Sequence, residues 1–128
     1  FQLRFSTEEV MLKEQPLTVL VDKTPKQWHK GLGDRETLAP YDGMLFLFHR
    51  HKHHGIVMRD MQFPIDIVWL DQGEVVDIAP NVPLEPGVAE QDLMVYRPRK
   101  VANTVLELPA GWVDEHELLI GDRLELAQ

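Results

Sequence analysis

The strongest hydrophobic pattern in the chain runs from Gly43 to Asp71: GMLFLF, then HRHKHH, then GIVMRDMQFPIDIVWLD. In Met44 to Phe48 both alternating faces are apolar, with Met44, Phe46 and Phe48 on one side and Leu45 and Leu47 on the other. That pattern predicts a strand buried on both sides. The His-rich run then predicts a bend, and Ile56 to Met61 a second strand. In this second strand Arg59 and Asp60 fall on opposite faces, so one of them must turn inward or lie at a strand end. Pro64 lacks a ladder donor and suits the first position of a third strand, Ile65 to Leu70. There Ile65, Ile67 and Trp69 share one face, while Asp66 shares the other with Val68 and Leu70. A carboxylate on an apolar face needs partners.

Outside this stretch the elements are short. Gln2 to Phe5 reads as an edge strand or arm, and residues 1–16 as a whole form an N-terminal arm or edge strand ahead of a barrel spanning residues 17–126. Leu17 to Val21 alternates and is introduced by Pro16, which predicts a strand. Thr24-Pro25 supplies a helix cap followed by proline in the first turn, so a short helix is expected through Trp28 to Lys30, ended by Gly31 and Gly33. Asp34 to Asp42 reads as a loop with at most one helical turn. Asp71-Gln72-Gly73-Glu74 predicts a hairpin turn that returns Val75 to Ala79 antiparallel to the preceding strand. Pro80, Pro83 and Pro86 with Gly87 predict a long surface loop. Asp92 to Tyr96 reads as a strand broken by Arg97-Pro98-Arg99-Lys100. Thr104 to Leu108 is a further strand, followed by a short helix at Trp112 to Glu117, a turn at Ile120-Gly121-Asp122 and a last strand, Arg123 to Leu126.

Many short strands at close spacing predict a mainly β (α+β) fold. The expected form is a small closed or partly open β barrel of about 7 strands with two short helices, in a single domain over residues 1–128. A layered α+β sheet is the alternative architecture.

Several of these residues together resemble a known family. The pattern runs from Gly31-Leu32 to Arg35, through GMLFLF and M-R-D-x-x-x-P-I-D-I-x-x-x-D (Met58 to Asp71), to VLELPAG (Val105 to Gly111) and IGD (Ile120 to Asp122). It resembles the uncharacterised bacterial and archaeal domain-of-unknown-function family 192, over roughly Thr18 to Leu126. Linked motifs in order make the resemblance specific, although each is short. The chain departs from the family at Val57, where Trp is usual, at Asp60, where Asn is usual, and at Gly33, where Met is frequent. Members often carry an N-terminal signal or lipid-anchor segment. The resemblance therefore implies an extracytoplasmic location; separately, a chain that starts at Phe1 rather than Met is expected to be either processed or trimmed.

Composition narrows the function classes. A chain of 128 residues is long enough for one sizeable core. It has no cysteine, which removes disulfides, zinc ribbons and a thiol nucleophile. The formal net charge of −8 opposes a phosphate backbone, so nucleic-acid binding is not expected. No apolar run approaches the ~20 residues that span a bilayer, and a soluble domain is expected.

Two clusters could carry chemistry. His49, His51, His53 and His54 fall within six residues. In an extended segment His49, His51 and His53 project to one side, a spacing that suits a divalent transition metal. Gly43-x5-His49-x-His51 matches the opening of the cupin metal signature, but the Glu that should follow is missing, and a solvated loop is the plainer reading. The second cluster is the set Asp60, Asp66, Asp71, Asp77 and Glu107. Asp66 and Glu107 interrupt apolar strands, where burial raises a carboxyl pKa unless partners offset it. Grouped with Arg35 or Arg59 they would line a polar pocket or act as acid and base; as structural ion pairs they would only hold the fold together.

Ser6 is the single serine and lies in the arm, which excludes a serine-hydrolase elbow. Gly31 to Asp34 follows a helix rather than preceding one, the wrong polarity for cradling a phosphate. Met44, Met58 and Met61, like Trp28, Trp69 and Trp112, are expected in the core before any ligand role.

The reading is a binding or accessory module whose polar pocket holds a small molecule or a protein partner near Arg35, Arg59, Asp60, Asp66 and Glu107, without a cofactor. The alternative is a hydrolase, either carboxylate-based through Asp66 and Glu107 or metal-dependent through His49 to His54.

Overall fold

The computed structural model describes residues 6–23 and 35–126. Seven strands form one sheet: β1 Ser6–Leu12, β2 Gln15–Asp22, β3 Gly43–Lys52, β4 Ile65–Asp71, β5 Glu74–Val82, β6 Ala102–Pro109 and β7 Leu124–Leu126. Among the described residues one short helix, α1, covers Trp112–Glu115, and a 3-10 turn covers Glu90–Asp92. The strand order is β5-β4-β6-β3-β2-β1-β7, antiparallel throughout except for the parallel β2–β3 pair. The two outer strands then approach each other. Glu74 bridges Arg123, and the Val75 N–H donates to the Asp122 carbonyl at 2.8 Å. The sheet thus curls into a half-barrel, mostly β as its alternating strands imply.

Local sequence explains the tight corners. Lys13-Glu14 and Gln72-Gly73 all adopt positive φ, the conformation that matches a two-residue hairpin to the twist of its strands. The β4–β5 hairpin lies where the Asp71 to Glu74 pattern places it.

Each face of the sheet has its own core. Inside the curl, Val10, Leu12, Leu17, Val19, Val21, Leu45, Val68, Leu70, Leu106 and Leu108 pack together, and Val113 and Leu118 close one end. On the other face, Leu20, Met44, Phe46, Ile65, Ile67, Trp69, Ala102 and Val105 pack with Leu38 and Met58 from the connecting segments, with Tyr41, Ile56, Phe63 and Tyr96 at the margin. The two-sided burial expected for Met44 to Phe48 holds for Met44, Leu45 and Phe46, whereas Leu47 and Phe48 are half-buried.

Several expectations need correction. Ile56 to Met61 is no strand: only Ile56 makes a bridge, to Tyr96, and Asp60 sits at φ 54 in a turn. Arg59 and Asp60 resolve their conflict by leaving the sheet. Asp92 to Tyr96 likewise contributes only the Tyr96 bridge. The His-rich run is no bend at its start, because β3 continues through His49–Lys52 with all four residues exposed. Within residues 1–16, Ser6–Leu12 is no free arm or edge strand: it pairs with β2 on one side and β7 on the other. The expected strand at Gln2 to Phe5 and the helix at Thr24 to Lys30 lie outside the described residues.

Candidate functional site

The five expected site residues do not converge. Asp66 faces the inner core and is fully buried. β5 carries an extra residue opposite it, since Ile65 pairs with Val82 but Ile67 with Ala79. The bulge frees the Asn81 N–H, which donates to Asp66 Oδ1 at 2.7 Å. Gly111 N–H donates to the same oxygen at 3.2 Å, and Val113 N–H donates to Oδ2 at 2.8 Å. Asp66 is therefore consumed by the fold: it pins the bulge and caps the first turn of α1 from a distant strand.

Glu107 points the other way. It stands opposite Met44 on β3 and Ile67 on β4, on the outer-core face. Asp22, which pairs with Phe46 across the other side of β3, shares that face. Both carboxyls are buried, Asp22 completely and Glu107 to 5 % exposure. Burial pushes the Asp22 pKa up to about 7. Burial also pushes Glu107 up to about 8, with the Asp22 charge adding to the effect. Two buried acids thus straddle one strand, each held above the usual carboxylate range. Asp22 carries the same signal as Asp66 and Glu107, a carboxylate in an apolar alternation, here at the end of Leu20-Val21-Asp22.

Arg59 and Asp60 do come together, in a groove of about 440 Å³ between Met58–Gln62 and the proline-rich loop from Leu84 to Leu93. Arg59 grips Glu90 with a two-pronged contact, its Nε donating to Oε1 and its NH2 to Oε2, the latter at 3.2 Å. Met58, Met61, Leu84, Val88 and Leu93 give the groove apolar walls, and Asp60, Glu85 and Glu90 give it acidic ones. Glu85 Oε1 accepts the Met94 N–H at 3.1 Å. Its second oxygen, Oε2, is buried and has no hydrogen-bond partner among the described residues. The Tyr96 phenol is raised by burial and then by the Glu85 charge. Glu85 and Glu90 carried no sequence signal, because only the folding of a loop over the sheet gives them a neighbour.

Arg35 lies apart from the residues that line this groove. Its Nε donates to the Thr37 carbonyl at 3.4 Å and its guanidinium lies 5.9 Å from the Tyr41 ring centroid. Asp77 is taken up by structure: burial would raise its pKa, but the Arg99 side chain and the Arg99 and Ile78 N–H groups outweigh that and lower it. Asp71 bonds His51, whose Nδ1 lies 2.5 Å from Oδ1.

The histidines diverge as well. The His54 ring stacks on Phe48 at 3.9 Å, with Nε2 donating to the Arg50 carbonyl at 2.8 Å. Its backbone carbonyl accepts the Trp69 indole N–H at 2.8 Å, and the His53 carbonyl accepts from Arg97. Among the described residues no group of three or more His, Asp or Glu side chains is arranged to hold a metal ion. The metal-binding alternative at His49, His51 and His53 thus finds no prepared site among the described residues.

No helix among the described residues is long and apolar enough to cross a membrane. Two solved structures are similar to this chain. A candidate transcription regulator from Sinorhizobium meliloti 1021 is 27 % identical, with 98 % of each chain covered and a TM-score of 0.85. A protein of unknown function from Novosphingobium aromaticivorans DSM 12444 is 22 % identical, covering 94 % of this chain and 84 % of its own, with a TM-score of 0.77, and shows the shared fold. No curated protein matches the chain. The model of DUF192, described as "Uncharacterized ACR", matches residues 8–126. The chain therefore belongs to the DUF192 family.

Proposed function

We propose that this domain is a binding module, and that the groove between Met58–Gln62 and Leu84–Leu93 holds a small polar molecule or a segment of a partner protein. The observation that carries this reading is the convergence of Arg59, Asp60, Glu85 and Glu90 on one groove with apolar sides, where Glu85 keeps an acceptor, Oε2, without a partner among the described residues. A buried acceptor left unpaired is costly, and a ligand donor would satisfy it. Arg59, held by Glu90, supplies a fixed cation at the rim, and Asp60 a second acceptor. Convergent polar groups set among apolar walls are the usual composition of a ligand site.

The experiment is a fragment screen followed by amide NMR shifts on the full chain. Hits should perturb Met58–Gln62 and Leu84–Leu93 together, and Glu85→Gln should weaken them. A screen with no hits, or hits confined to other surfaces, would remove the reading. The Sinorhizobium relative raises nucleic acid as a ligand class, but the net charge of −8 and the acidic groove oppose it.

A second reading, a carboxylate-based hydrolase, draws on the placement of Asp22 and Glu107, rather than Asp66 and Glu107, on one face across β3. A substrate panel in which wild type turns over a compound and Glu107→Gln does not would favour it over the binding reading.

A further inference from the structure

A second surface, unrelated to the groove, concentrates positive charge on this acidic chain. From Gly43 to Met58 and from Leu93 to Leu106 the sequence contains no Asp or Glu, although the chain has 21 acids against 13 Lys and Arg. The fold lays the basic parts of these two segments side by side. Lys52 pairs with Ala102, Ile56 bridges Tyr96, and an Arg97 NH1 donates to the His53 carbonyl at 3.2 Å. A Cβ built on Gly55 would meet both Val95 and the Arg97 guanidinium, so Val95 and Arg97 share the side turned toward that strand end.

The strand end itself is unusual. β3 runs four residues, His49 to Lys52, with both faces exposed, and its pairing with β6 shifts between Leu47 and Lys52. Phe48, His49, Arg50, Lys52 and His54 enclose a cup of about 210 Å³, backed by the stacked Phe48 and His54 rings. Arg97 and Lys100 are exposed beside it. Not all the basic side chains here are available: Arg99 is committed to Asp77, and His51 bonds Asp71. What remains is Arg50, Lys52, Arg97 and Lys100. Two exposed apolar side chains bracket the basic segment, Val95 at 43 % and Val101 at 42 %.

We infer that this basic strand end and the Val95–Val101 segment form a docking surface for a bilayer containing anionic phospholipid, with the cup at Phe48, Arg50 and Lys52 receiving a headgroup phosphate. Clustered Lys and Arg are drawn to the negative potential of such a surface, and apolar side chains set among them enter the interfacial layer. Exposed valines are what favour lipid over nucleic acid, which would reward further hydrogen-bond donors or open stacking platforms instead. The acidic remainder of the domain would be repelled from the same surface and would fix one orientation.

The test is co-sedimentation of the full chain with unilamellar vesicles of phosphatidylcholine alone or mixed with phosphatidylglycerol, at low and high salt. Binding should require phosphatidylglycerol and fade with salt. Lys52→Ala and Lys100→Ala should each lower partitioning roughly fivefold. Val95→Asp should lower it at unchanged salt, whereas Lys13→Ala, distant in sequence and paired with Asp122, should leave it intact. Absence of binding, or equal binding to both vesicle types, overturns the inference. So does tight binding of a single-stranded oligonucleotide, or of inorganic phosphate seen by NMR at the cup, by a chain that ignores the vesicles.

Discussion

Asp66 and Glu107 occupy neighbouring rungs of the β4–β6 ladder and point to opposite faces of the sheet, because Asp66 pairs with Leu108 while Glu107 pairs with Ile67. One carboxylate satisfies backbone donors in the inner core, and the other stands beside a second acid in the outer core. Similar sequence contexts therefore have different physical consequences.

For Asp66 the consequence is stability. Asp66→Ala strands the N–H groups of Asn81, Gly111 and Val113, so unfolding free energy should fall by about 3 kcal/mol or more. Asp66→Asn keeps one acceptor oxygen and should cost roughly half as much. Urea unfolding of the two variants checks the ranking, and equal losses would contradict the bonding described.

For Glu107 it is pH dependence. The folded values of about 8 for Glu107 and about 7 for Asp22 exceed those of the unfolded chain, so the folded state binds more protons through this window. Their stabilising effect is complete below the ordinary carboxylate range and is lost as pH rises toward about 8. Asp77 and Asp122 act oppositely: their pKa values are lowered in the fold, so their contribution is lost as pH falls. Glu107→Gln should flatten the neutral-to-alkaline decline and raise stability near its upper end by on the order of 3 kcal/mol. Unfolding midpoints measured across this range would show it, and an unchanged slope would count against a buried acid pair.

The Arg59–Glu90 contact predicts a separation of stability from binding. Both side chains are well exposed, 36 % and 60 %, and such pairs contribute little. Arg59→Ala should shift the unfolding free energy by less than about 1 kcal/mol. The same change should weaken any groove ligand that contacts the guanidinium. Calorimetry of a fragment hit beside a thermal melt measures both.

Gly43 opens β3 and has no room for a side chain. A Cβ there would lie 2.7 Å from the Glu107 carbonyl oxygen and 3.0 Å from a Leu108 methyl. Since the nearest obstacle is backbone, Gly43→Ala should force β3 and β6 apart and cost about 1–3 kcal/mol. Hydrogen exchange should speed up first at the Met44–Glu107 rung.

The sequence by itself determined the strands whose side chains report their surroundings locally: the doubly apolar run Met44 to Phe48, buried through Phe46, the hairpin at Gln72-Gly73, and the carboxylates at 66 and 107 marked as unusual. It could not separate Arg59-Asp60 in a turn from Arg59-Asp60 in a strand, since a conflict of faces is resolved equally well by leaving the sheet. Only the tertiary structure decided which acids meet. Side-chain alternation fixes a residue's face within one strand, whereas a partner is set by strand order, by register and by a bulge such as that at Asn81. Those place Asp22 across β3 from Glu107, and fold Glu85 and Glu90 over Arg59, from positions that local sequence does not connect.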